Sequence, residues 1–77
     1  MYNNQPSTIH ISVLAEYLHS LNSYTEWNEV GASERKIWNA EAKGLLAKKI
    51  YMVRLEGGYA KTYTIIHNGE EKANISR

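Results

Sequence analysis

Residues 27–66, WNEVGASERKIWNAEAKGLLAKKIYMVRLEGGYAKTYTII, decide the fold. In the first half apolar residues return at three- and four-residue steps, and in the second they alternate. Gly31 interrupts the helical half and permits a turn with positive φ. Ser33 follows as a candidate N-cap, with Glu34 in the first turn, where the helix dipole favours an anion. The helix this predicts covers residues 33–47, with Gly44 near its end because a glycine in a helix interior costs up to about 1 kcal/mol. From Ile50 the period is two, and β-branched and aromatic residues flank Gly57-Gly58, a hairpin signal. A two-residue loop there sets Ile50 opposite Ile65, Met52 opposite Tyr63 and Arg54 opposite Lys61.

Two further helices are predicted upstream. Over residues 11–22, Ile11, Leu14, Leu18 and Leu21 form an apolar stripe widened by Tyr17. Glu16, His19 and Ser20 fall on the other side, with Thr8 or Ser12 as N-cap. A short helix fits from Thr25 or Glu26 to Val30, capped by Thr25. The sequence reads as one domain over residues 1–77 with its core at about 9–66. Residues 1–7, and the polar tail 68–77 after an Asn68-Gly69 turn, are expected to be flexible.

Charge is distributed unevenly along this frame. The 77 residues carry a net +1. Residues 35–61 hold seven Lys/Arg against two acids, whereas residues 1–34 hold four acids and neither Lys nor Arg. Such a basic segment is the electrostatic footprint of a polyanion. The chain has no cysteine, so it has neither disulfides nor thiolate chemistry, as suits a reducing, cytoplasmic compartment. No basic and apolar leader opens it, and no apolar run is long enough to span a membrane. His10, His19 and His67 are scattered without carboxylates at metal-ligand spacing, and Gly57-Gly58 lacks the Lys-Ser/Thr of a phosphate loop. No cofactor, metal or catalytic centre is expected. Tyr17, Trp38 and Tyr63 read as core, which leaves too few exposed aromatics for an RNA-stacking platform.

On a helical wheel of residues 33–47, Ile37, Ala40, Gly44 and Leu45 cluster on one side, with Trp38 at its border. Arg35, Lys36, Asn39, Ala42 and Lys43 lie opposite, and Glu34 and Glu41 fall away from that face. Arg and Lys can donate to guanine, Asn can pair with adenine, and Ala permits close approach. A solvated face or an acidic protein partner would also accept these cations, but a single-sign face favours the major groove. In the hairpin, Arg54 opposite Lys61 would repel unless a phosphate sat between them, or the two side chains would part into water. Tyr59 beside the turn could donate to a phosphate. Thr25 and Ser33 begin helices, where capping or phosphate contact would each account for them.

These features together resemble a winged helix-turn-helix. The turn is Val30-Gly31-Ala32-Ser33, and the family's buried β-branched residue is matched by Ile37. The helix-to-strand junction is Gly44-Leu45-Leu46, the wing is residues 50–66, and the likeness covers residues 9–66. Trp27 stands where the family usually has a small residue and Ala40 where it has a larger aliphatic, a pair that could compensate. The resemblance implies an α+β fold of three helices followed by a two-stranded β-hairpin wing. It also implies a sequence-specific double-stranded DNA-binding protein, with residues 33–47 in the major groove and the wing on the backbone or minor groove. Such a protein would serve as a transcriptional regulator or accessory architectural factor, of a size that suits a phage or mobile element, and would be nucleoid-associated in a bacterium. The other reading is an interaction module whose acidic first and second helices face a protein such as RNA polymerase. Dimerisation would add buried area to so small a chain.

Overall fold

The computed structural model describes residues 7–57 and 61–77. The fold is α+β. Two helices, α1 (Thr8–Asn22) and α2 (Ala32–Ala47), precede three strands, β1 (Tyr51–Glu56), β2 (Thr62–His67) and β3 (Glu70–Ser76). The strands form an antiparallel meander in the order β1-β2-β3. Two of the expected elements are therefore corrected. The expected second helix is only a 3-10 turn at Trp27–Glu29, and the tail expected to be loose is a third strand.

α1 starts earlier than its apolar stripe. The N-cap is Ser7, not Thr8 or Ser12, and its Oγ accepts the His10 N–H at 3.2 Å. Its buried face is Val13, Leu14, Ala15, Leu18 and His19. Leu21 is exposed instead, and His19, expected to face water, is only 1% exposed. The His19 ring lies 5.7 Å from both Trp27 and Trp38. Without Phe, the chain closes this end of its core with two indoles and an imidazole.

α2 begins one residue before Ser33. Gly31 occupies the N-cap at φ −69°, so the turn into the helix needs no left-handed residue, and Ser33 sits within the first turn. The helix passes through Gly44 and ends in a Schellman motif: the Ile50 N–H donates to the Leu45 carbonyl and the Lys49 N–H to that of Leu46. The left-handed position of this motif is Lys49, at φ 60°, where glycine is usual. The buried centre of α2 is Ala42, with Trp38, Leu45 and Leu46 half-buried around it. Ile37, expected in the core, is 70% exposed.

The sheet packs one face on the helices. Val53, Ile65 and Ala73 lie side by side across it, as do Leu55, Tyr63 and Ile75. Tyr63 and Ile65 are buried with α1 and Ala42, and Val53, Ala73 and Ile75 pack around them. β2 and β3 turn at Asn68 (φ 56°) and Gly69 (φ 77°), a two-residue loop with both residues left-handed. The β1–β2 connection is longer, because Glu56 pairs with Thr62 and Arg54 with Thr64, and residues 57–61 bridge the strands. The expected register, with Arg54 opposite Lys61, is wrong by three residues.

Candidate nucleic-acid interface

The helix expected to carry base readers is rotated relative to its predicted wheel. At about 100° per residue, Arg35 lies roughly 20° from the buried Ala42. Its Nη2 donates to the Trp27 carbonyl at 2.8 Å, and its guanidinium stands 5.1 Å from the Trp27 ring centroid. Arg35 thus fastens the 3-10 turn to α2. Asn39, one turn further on, is half-buried, and its Oδ1 is buried without a hydrogen-bond partner among the described residues. Three of the five residues expected on the exposed face, Arg35, Asn39 and Ala42, therefore face the protein.

Lys36 and Lys43 remain exposed. They are about 20° apart on the wheel and roughly 10 Å apart along the axis. Glu34 and Glu41 occupy the opposite flank, about 160° away. Between the flanks lie Ser33, Ile37, Ala40 and Ala47, all exposed, and the half-buried Gly44. Lys48 and Lys49, also exposed, continue the positive charge past the helix end. Among the described residues, none of these four lysines forms an ion pair. Lys48 and Lys49 stand at the negative end of the helix dipole, which favours them without neutralising them.

The expected phosphate clamp on the hairpin is not assembled. Arg54 lies on the outer face of the sheet beside Thr64, and its Nη2 donates to Glu56 and Glu71, each at 2.7 Å. The hydrogen bonds to Glu71 and then Glu56 raise its pKa above the ordinary arginine value, so this cation persists at any working pH. Under these side chains Thr64 is fully buried, and its hydroxyl donates to the Asn74 Oδ1 at 2.8 Å. Lys61 is exposed at the end of the connection, where its carbonyl accepts the Arg77 N–H. Tyr59 lies outside the described residues. Thr25 is exposed in the loop after α1 and caps no helix: its N–H donates to the Ser23 Oγ, and the 3-10 turn is preceded by Glu26.

The structure places Lys36 and Lys43 on one flank of α2 and leaves Lys48 and Lys49 exposed at its C-terminal end. It separates Arg35, Asn39, Ala42 and Arg54 from that surface. The signal for the last two lysines was in the sequence, since an adjacent pair at a helix end cannot both be turned inward. No known family model, curated protein or solved structure matches the chain.

Proposed function

We propose that the protein binds double-stranded DNA through its phosphates, using Lys36, Lys43, Lys48 and Lys49. The observation that carries this reading is that Lys36 and Lys43 on one flank of α2, and Lys48 and Lys49 at its end, are exposed and form no ion pair among the described residues, while Glu34 and Glu41 lie across the helix from the first two. Flexible ammonium groups suit phosphate contact, whereas the planar arginine fork suits guanine, and both candidate arginines are engaged within the fold. The reading therefore favours backbone-dominated binding with modest base discrimination, in an architectural or accessory role. It does not depend on the winged-helix resemblance.

The test is duplex affinity as a function of salt. Four phosphate contacts give a slope of log K against log[salt] of about −3 to −4. Replacing all four lysines by alanine should abolish binding at low salt and leave the fold intact. Absence of binding by the unmodified chain at low salt would defeat the proposal. One observation favours a second reading, an interaction module for a protein partner: Ile37 stands 70% exposed at the middle of the outer face of α2. In that case Ile37→Asp would abolish partner binding, and duplex affinity would be negligible from the outset.

A further inference from the structure

The two edges of the sheet are built differently. β3 carries Glu70, Glu71 and Lys72, and its pairing slips by one residue between Ile65 and Ile66, leaving Lys72 as a bulge. Charges and a bulge are devices that prevent a sheet edge from recruiting another strand. β1 has no bulge, and its two charges, Arg54 and Glu56, are of opposite sign and paired with each other. Its pairing with β2 is regular from Tyr51 to Glu56, and among the described residues no strand covers its other edge. It exposes Met52 (58%) and Leu55 (45%), and Ile50 just before it is also exposed. Leu55 lies on the helix-covered face of the sheet, beside the buried Tyr63, so its exposure comes from standing at the rim.

We infer that β1 is a dimerisation edge, and that its occupant is β1 of a second copy of this chain. Backbone pairing and side-chain direction both have a period of two. Antiparallel self-pairing therefore matches hydrogen-bonding positions and faces only when opposed residues are an even number apart. Centring on Arg54 would oppose two guanidinium groups. Centring on Val53 would oppose Met52 to Arg54 and Ile50 to Glu56, pairing each charge with an apolar side chain. Centring on Leu55 opposes the two leucines on the inner face. It also sets Arg54 against Glu56 of the partner subunit twice over on the outer face. Arg54 can accept this third carboxylate: its Nε and Nη2 bond Glu56 and Glu71, while Nη1 has no partner among the described residues. The product is a six-stranded antiparallel sheet joined through residues 53–57 of each copy, with both helical layers on one side. It extends each exposed backbone edge and covers each Leu55 with the other. This inference is independent of the DNA reading.

The experiment is sedimentation equilibrium of the whole chain at concentrations up to about 1 mM, sufficient to populate even a millimolar dimer. The unmodified protein should rise from 8.8 kDa toward twice that mass. Arg54→Glu and Glu56→Arg should each weaken dimerisation by about tenfold or more, because symmetry makes every reversal strike two pairs. The double variant R54E/E56R should recover it. Mixing the two single variants should give a heterodimer, since one then offers two glutamates to the other's two arginines. Should Arg54→Glu fail to fold, as judged by circular dichroism, Leu55→Lys replaces it and should be folded and monomeric. A chain that sediments at 8.8 kDa throughout overturns the inference, including the case in which β1 binds only a foreign peptide strand. A dimer indifferent to these reversals and to Leu55→Lys overturns it as well.

Discussion

Arg35 separates a structural from a DNA-reading role within one side chain. Replacing it by alanine removes the 2.8 Å bond to the Trp27 carbonyl and the cation above the Trp27 ring. A hydrogen bond from a charged donor contributes about 1.5–3 kcal/mol. A partly exposed cation–π contact adds about 0.5–1 kcal/mol. Against these stands the Arg35 Nε, buried without a partner among the described residues, whose removal returns about 1 kcal/mol. The net loss is about 2 kcal/mol, which in a domain of this length lowers Tm by roughly 10 °C. Circular dichroism melts measure it, and duplex titrations at a temperature where both proteins are folded measure binding. Arg35→Ala should lose stability and keep duplex affinity to within about twofold, well under 1 kcal/mol. Arg35→Lys should recover less than half of the stability, because an ammonium lacks the planar fork. Lys36→Ala should do the reverse, with an unchanged melt and weaker binding. If Arg35→Ala melts within about 2 °C of the unmodified protein and loses DNA binding, the side chain reads DNA and the reasoning fails.

Lys49 pays for a left-handed backbone that glycine adopts freely, so Lys49→Gly should stabilise the fold by about 0.5–1 kcal/mol in urea titrations while weakening duplex binding through the lost charge. At the β2–β3 turn Gly69→Ala should cost about 1–2 kcal/mol in the same titrations, since φ 77° strains any residue with a Cβ even though the space around it is open. Lys61→Glu should change stability by no more than about 0.5 kcal/mol, because exposed Lys61 lies opposite Arg77 rather than Arg54, and an exposed ion pair there contributes little. A gain well above about 1 kcal/mol would restore the tighter register.

Ile37, which matches the winged-helix pattern, is not the inner anchor of α2. A wheel with Ile37 in the core turns Arg35, Asn39 and Ala42 outward. The residues themselves carried a competing pattern. Trp38, Ala42 and Leu45 stand at steps of four and three, and Leu46 widens that stripe. It was hard to prefer, because the inner face also holds an arginine and an amide while the outer face holds an isoleucine. Arg35 is tolerated inside only through Trp27, eight residues earlier, whose carbonyl and ring receive the guanidinium. No local pattern announces such a tertiary partner. The exposed lysines were legible for the opposite reason: each can keep its ammonium in water with no specific partner.

In the hairpin the deciding signals are local. Gly57-Gly58 and Asn68-Gly69 both read as turns, but asparagine followed by glycine is the stronger two-residue hairpin signal, and it is the one that closes a tight loop. A tight loop at the first and a loose tail after the second imply a register three residues from the one observed and leave out β3. Any odd shift exchanges the two faces of a strand. In β1 the alternatives were Tyr51, Val53 and Leu55, all apolar, or Met52, Arg54 and Glu56, two of them charged. Turning the first set toward the helices agrees with binary patterning, and the structure does so, with Tyr51 and Val53 packed on the core and Leu55 at the exposed rim. The charged set then lies outside, where Arg54 meets Glu56 and, across β2, Glu71. A position expected to need a phosphate to relieve repulsion from Lys61 is instead neutralised within the sheet. That single change of register removes the wing from the DNA argument and leaves β1 as an edge able to pair with itself.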